Sequence, residues 1–217
     1  MIIDMHVHSD VSDDGMASVE TYMKWIAKLR GNHRVDGIVL TEHRLFNNDA
    51  DYDALAREYD ILILKGTEAD TDCGHVLLYG VNEKILNDFD FKNIHLSGRD
   101  LISAMEDTGG IGIPAHPGRR YIGLVEHLEK GYDIGTHLRA AEQLNGGSSK
   151  QENARAEQLV AERKLFGIGG SDAHFVSAVG KFMTEFKRPI RSMQDLVEQL
   201  YAGDYHPITL ENARIQA

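Results

Sequence analysis

Short apolar runs recur along this chain, and residues able to bind metals or move protons gather where those runs stop. The first run is Ile2-Ile3-Asp4-Met5-His6-Val7-His8, whose apolar positions read as a buried strand. Side chains two apart share one face of a strand, so His6 and His8 can reach a single ion. Ser9, Asp10, Asp13 and Asp14 follow at once in a loop that turns at Gly15. Oxygen donors therefore crowd beside softer imidazole nitrogens, a mixture that transition metals accept.

The pattern then repeats. Asp36 to Leu40 is a second strand and leads into Thr41-Glu42-His43. Ile61 to Leu64 is a third, with Glu68 as the candidate ligand in the mouth formed by Lys65 to Asp70. Thr71 to Gly74 turns the chain into a strand from His75 to Gly80, so His75 can approach the same point as Glu68. Ile111 to Ala115 delivers His116, with Arg119 and Arg120 just beyond as a clamp for an anionic substrate. A strand around Leu138 to Leu144 carries Glu142 and Asn145. Leu165 to Gly170 ends in Ser171-Asp172-Ala173-His174, which repeats the spacing of the opening, and Val179 to Phe186 is the last strand.

Helices fill the intervals. Ser18 to Arg30 has Val19, Tyr22, Met23, Ile26 and Leu29 at offsets of three and four, with Ser18 as N-cap. Further helices are expected near Tyr52 to Tyr59 and over Ser97 to Asp107, Gln151 to Arg163 and Ser192 to Tyr201. This alternation predicts an α/β fold with a parallel sheet and chemistry at the carboxyl ends of its strands. Six of the eleven histidines fall at such ends, whereas His33, His95, His127, His137 and His206 read as structural or surface residues. Buried histidine and carboxylate are costly unless paired or metal-bound, so a multinuclear metal site is expected.

Composition limits the alternatives. With 217 residues and 42% hydrophobic content, one domain spanning 1–217 is expected, and no Pro/Ser-rich linker divides it. The single cysteine, Cys73, excludes an intramolecular disulfide and agrees with a reducing compartment. Without a leader-like or membrane-spanning apolar run, a cytoplasmic location is expected. A net charge of −11 argues against long nucleic acid as a partner.

Taken together, His6-x-His8 with Asp13, Thr41-Glu42-His43, Gly66-x-Glu68 with His75, Ala115-His116-Pro117, Glu142-x-x-Asn145 and Ser171-Asp172-Ala173-His174 resemble the polymerase-and-histidinol-phosphatase (PHP) superfamily, over residues 1 to about 188. The resemblance implies a distorted (β/α)7 barrel with two or three divalent ions, zinc, manganese or iron, at its C-terminal mouth. It implies His6 and His8 as ligands of the first metal, Glu68 as a bridge to the second, and Asp172 completing the shared cluster. His75 and His116 resemble ligands of the second metal, and His43 and His174 those of the third. Asp13, or Asp14 beside it in the doubled Ser-Asp-Asp-Gly turn, completes the set. The family usually has Thr-Asp-His where this chain has Thr41-Glu42-His43, so the acid here has a longer arm.

The expected reaction is hydrolysis of a small phosphomonoester. Bridged ions would lower the pKa of a bound water towards about 7 and give hydroxide to attack phosphorus. Glu68, Asp172 and His174 are the expected catalytic groups, and Arg119 or Arg120 would neutralise charge building in the transition state. Two alternatives are an amidohydrolase-type enzyme acting on a carbon-nitrogen bond and a phosphodiesterase or exonuclease of short oligonucleotides. A structural metal site is disfavoured, because such sites are usually closed tetrahedra of Cys and His.

Overall fold

The computed structural model describes residues 1–215. β1 (Ile2–Val7), β2 (Gly37–His43) and β3 (Leu62–Thr71) run parallel and are joined by α1 (Val19–Leu29) and α2 (Asp53–Tyr59). α1 begins at Ser18, whose hydroxyl accepts the Thr21 N–H, and it buries Val19, Tyr22, Met23 and Ile26 against the sheet. Each such side chain removed from water contributes about 1.5–3 kcal/mol. Tyr22 also donates its hydroxyl proton to the His8 carbonyl at 2.8 Å, which ties this helix to the end of β1.

The strands then change direction. β4 (Gly74–Tyr79) folds back on β3 as a hairpin. β5 (Ile111–Pro114) arrives after α3 (Glu83–Asp88) and α4 (Gly98–Asp107) and pairs antiparallel with β4. After α5 (Leu124–Glu129), β6 (Ala140–Asn145) and β7 (Phe166–Gly170) form a separate parallel pair around α6 (Lys150–Arg163). β8 (Phe182–Phe186), α7 (Met193–Ala202) and β9 (Tyr205–Thr209) end the fold, giving a seven-stranded sheet in the order β5-β4-β3-β2-β1-β8-β9.

The β6–β7 pair continues this wall on one side. The Asp172 N–H donates to the His6 carbonyl at 2.8 Å, and the His8 N–H donates to the Ala173 carbonyl at 2.9 Å. Between β5 and β6 no backbone ladder forms among the described residues, and the junction is made by a side chain: Glu142 accepts the His116 N–H at 2.6 Å. The sheet is therefore a curled, mixed half-barrel. This corrects the expected parallel sheet, because a turn as short as Thr71–Gly74 can only reverse a strand, whereas parallel pairs need a long crossover; the expected distorted (β/α)7 barrel is met as an α/β half-barrel.

Apolar side chains from both sheets and from α7 fill the interior, among them Ile3, Met5, Val39, Leu77, Ile113, Ile168 and Leu196. A second cluster lies under α1, and a third under α4 and α6. No helix among the described residues is long and apolar enough to cross a membrane.

Candidate metal centre

The polar residues at the carboxyl ends of β1, β2 and β7, on the β3–β4 hairpin and just beyond β5 meet at one place. His6 and His8 leave β1 with their Nε2 atoms 2.9 Å apart, as the alternating geometry of a strand requires. Glu68 lies opposite them and is fully buried. Its Oε2 is 3.2 Å from His6 Nε2, 3.3 Å from His8 Nε2 and 3.1 Å from His43 Nδ1. Its Oε1 is 3.0 Å from His75 Nδ1 and 3.0 Å from His116 Nε2. One carboxylate thus divides its two oxygens between two sets of imidazoles. Asp172 joins the first set, with Oδ1 3.5 Å from His6 Nε2 and 3.4 Å from His8 Nε2.

Overlapping groups of donor atoms result: His6, His8, Glu68 and Asp172; Glu68, His75 and His116; His8, His43 and His174; and His43, Asp70 and His75. Asp70 was absent from the sequence-derived set, and it lies beside His75 because the β3–β4 register pairs the two residues directly. Of the two neighbouring aspartates, Asp13 turns outward to Arg44 at 2.6 Å, whereas Asp14 Oδ2 reaches His174 Nε2 at 3.1 Å and His43 Nε2 at 3.4 Å. The structure thus brings Asp14, not Asp13, to the cluster. Gly15 is essential to that turn, since a Cβ there would sit 1.8 Å from the Ser9 carbonyl oxygen.

A surrounding layer holds these side chains in place. Glu142 is fully buried, with Oε1 3.0 Å from His6 Nδ1 and Oε2 accepting the Asn145 side-chain amide at 2.9 Å. It orients one ring and, through the His116 N–H, one backbone ligand position. Gly170 makes room for it, because a Cβ there would come within 2.4 Å of the His6 Cβ and 2.7 Å of Glu142 Oε1. Asp4 accepts the Ser171 and Gly180 N–H groups, each at 2.8 Å, and so fastens β1 to the segment carrying Asp172. Glu42 accepts the Ser9 and Ser12 hydroxyls, each at 2.6 Å, and Ser12 in turn accepts the His43 N–H at 3.0 Å. The longer acid noted in the sequence therefore clamps the loop that carries Asp14.

The two arginines separate. Arg119 donates from Nη2 to Asp172 Oδ2 at 2.7 Å and to Asn145 Oδ1 at 2.8 Å. Arg120 is exposed, and its backbone N–H donates to Glu152 at 3.2 Å, so the structure does not bring its side chain to the cluster. Cys73 is buried outside the cluster, where burial pushes its thiol pKa up. His116 (φ 31°) and Asp172 (φ 53°) both occupy the left-handed region, a strain of about 1–3 kcal/mol each for a non-glycine residue. No local signal in the sequence marks that strain.

The electrostatics of the donor set fit cations. Burial opposes charging His6, yet Glu142, Asp172 and Glu68 hold its pKa well above the usual value. Burial would likewise raise Glu68, but His6 and hydrogen bonds from His116, His6 and His75 drive it well below the carboxylate range, and Asp172 is lowered in the same way despite burial, first by His6. The carboxylates thus draw positive charge into an interior of low dielectric. Burial meanwhile lowers His43 to about 4 and also lowers His116, leaving their imidazoles neutral with free lone pairs. Buried His8 Nδ1, His43 Nδ1 and His116 Nδ1 have no hydrogen-bond partner, His43 Nδ1 lying close to Glu68 without the angle for a bond. Ionised carboxylates, neutral imidazoles and ring nitrogens facing one another are the donor chemistry of a divalent transition-metal site.

Comparison with known proteins agrees with this geometry. The model of the PHP-associated family matches residues 150–205, which include Asp172 and His174. No curated protein matches the sequence. Among solved structures, a proposed metal-dependent phosphoesterase from Bifidobacterium adolescentis superposes with a TM-score of 0.59 at 17% identity, covering 91% of this chain and 95% of that one. An amidohydrolase from Chromobacterium violaceum with bound sulfate gives 0.63 at 20% identity, covering 90% and 95%. The lesion-specific endonuclease Q of Pyrococcus furiosus gives 0.67 at 15% identity, with 95% of this chain spanning 57% of that one. The family match over α6 to α7 and the likeness of the whole fold to these structures agree with the resemblance to the PHP superfamily seen in the sequence.

Proposed function

We propose that this chain is a metal-dependent hydrolase of phosphoric esters, acting on a small phosphomonoester with two or three divalent ions, zinc, manganese or iron. The observation that carries the reading is the division of Glu68, with one oxygen facing His6, His8 and His43 and the other facing His75 and His116. His6, His8, Glu68 and Asp172 would hold one ion, and Glu68, His75 and His116 a second. His43 and His174, with Asp14, would hold a third. When bound, such ions lower the pKa of water and neutralise phosphoryl oxygens.

The remaining work falls to the chain. Glu68 and Asp172 supply acceptor oxygens that orient an attacking water. Arg119, anchored by Asp172 and Asn145 through Nη2, has further N–H groups to offer a phosphoryl oxygen as charge builds. His174 is 26% exposed, so it borders the open side; with Nδ1 on the Asp172 carbonyl oxygen and Nε2 turned to Asp14, it would act by holding the third ion beside the leaving alcohol oxygen, which takes its proton from solvent. The phosphorus–oxygen bond to that alcohol breaks as the bond to water oxygen forms, releasing alcohol and inorganic phosphate. We take residues 1–217 as one working domain with a small phosphorylated substrate, in the cytoplasm, with no membrane or long nucleic acid involved.

The amidohydrolase and endonuclease neighbours define the alternatives. The test is phosphate release from phosphomonoesters, nucleotide release from short oligonucleotides, and chromatographic detection of hydrolysed amide or lactam substrates, using protein stripped of metal and reloaded separately with manganese, zinc or iron. Metal-dependent release that is fastest from a phosphomonoester is the expected result. Turnover of carbon-nitrogen substrates alone, or of oligonucleotides alone, would overturn it.

A further inference from the structure

A second, chemically different cavity of about 710 Å³ lies at the opposite end of the sheet, where β1, β2 and β3 begin and β8 ends. None of its lining residues belongs to the metal cluster. Six cationic side chains from three segments converge on it: Arg30 and Arg34 after α1, Arg57 on α2, and Lys187, Arg188 and Arg191 on the loop after β8. Only three carboxylates, Asp36, Asp53 and Asp60, share the lining, so a chain of net charge −11 concentrates a local excess of positive charge here. All three are engaged within the fold, Asp53 by Arg57 at 3.8 Å. Asp36 accepts the Ile2 N–H at 2.7 Å and pairs with Arg34 at 2.9 Å, and Asp60 lies 3.5 Å from Arg30.

The loop cations are less well matched. Lys187 takes Asp204 at 2.9 Å and leaves Arg188 4.0 Å from the same carboxylate. Arg191 forms no ion pair among the described residues. Between these charges the wall is apolar, formed by Ile61, Leu62, Pro189 and Ile190. A cavity of this size suits a small organic ligand, and guanidinium groups on several sides suit phosphate oxygens.

We propose that this cavity binds a small molecule carrying a pyrophosphate group, with Arg188 and Arg191 as its principal contacts and the apolar wall against any ring that the group carries. The site is separate from the metal centre and independent of the reaction assigned there. Because it sits where the first three parallel strands start, occupancy there would stabilise the fold at the end away from the chemistry.

The test is calorimetric titration with pyrophosphate and, separately, ATP. The protein is stripped of metal, freed of chelator by desalting, and carries Glu68→Gln so that the metal centre contributes nothing. Saturable binding is expected with both probes or with ATP alone, and tighter binding of ATP would identify a nucleotide as the ligand. Arg188→Glu and Arg191→Glu should each weaken it about tenfold or more, which is the loss expected for one charge-assisted contact. Both residues are exposed, and in the native-Glu68 background both variants should retain metal content and phosphate release. Arg191→Gln provides a milder second variant. Absence of binding with both probes, or binding unchanged in both charge-reversed proteins, would overturn the proposal.

Discussion

The two ends of the half-barrel are built from different electrostatics. At the carboxyl end, His6, His8, Glu68 and Glu142 are fully buried with contacts of about 3 Å among them, and His8 Nδ1 is left without a partner. At the amino end, Arg34 with Asp36 and Lys187 with Asp204 form ion pairs open to water, the lysine being 72% exposed. Exposed pairs of this kind contribute between zero and about 1 kcal/mol, whereas each buried ion costs several kcal/mol to desolvate. A fold gains nothing in stability by collecting buried carboxylates and imidazoles at one end. Their concentration there indicates that the carboxyl end is organised for bound cations, while the amino end, with its exposed guanidinium and ammonium groups, is organised for anions.

Changes at the two ends should therefore differ greatly in effect. The largest is expected for Glu68→Gln, which removes the charge facing both sets of imidazoles: phosphate release should fall by about a thousandfold or more, with metal loss measured in parallel by elemental analysis. Next is Glu42→Ala, which leaves the Ser9 and Ser12 hydroxyls and the Ser9 N–H without their acceptor. It should destabilise the protein by about 2–4 kcal/mol in denaturant unfolding, with release reduced because Asp14 loses its support. Glu42→Asp, with a shorter arm, should recover only part of that loss. Adding a divalent ion to stripped protein at a hundredfold excess over its dissociation constant should raise stability by about 2.7 kcal/mol, measurable as a higher melting temperature that Glu68→Gln abolishes.

The smallest effect belongs to the amino end. Glu106 on α4 is held below its usual pKa, first by its hydrogen bond from His137 and also by Arg139. Because its folded pKa is depressed, its stabilisation is present above the unfolded value near 4.5 and is lost as pH falls through the folded one. Glu106→Gln should cost less than about 1 kcal/mol at pH 7, and progressively less as the pH is lowered below the unfolded value, as read from urea unfolding across that range.

The contrast between the ends also explains what the sequence revealed. Ligands on regular strands were legible: the spacing of His6 and His8 and the hairpin joining Glu68 to His75 both carried a geometric consequence. The strand directions were not, because β3 continues through the polar stretch Lys65 to Thr71, which reads as a loop when only apolar runs are followed. β9 was hidden by Pro207, which is tolerated because β9 is the edge of the sheet. The roles of Asp4, Glu42 and Glu142 depend on partners more than thirty or a hundred residues away, such as Ser171, Ser9 and His6, and no local pattern encodes those contacts. The cationic cavity was invisible for a similar reason, since its six charges are scattered over three segments of an acidic chain.

The central claim is that the carboxyl-end cluster holds cations through Glu68. The most direct measurement is the metal stoichiometry of stripped protein after dialysis against manganese, zinc or iron, compared with Glu68→Gln and His116→Ala. The account predicts two or three ions per chain, with at least one lost in each variant while the circular dichroism spectrum is unchanged. Stoichiometric binding that neither substitution alters, or no binding by the unaltered chain, would contradict it.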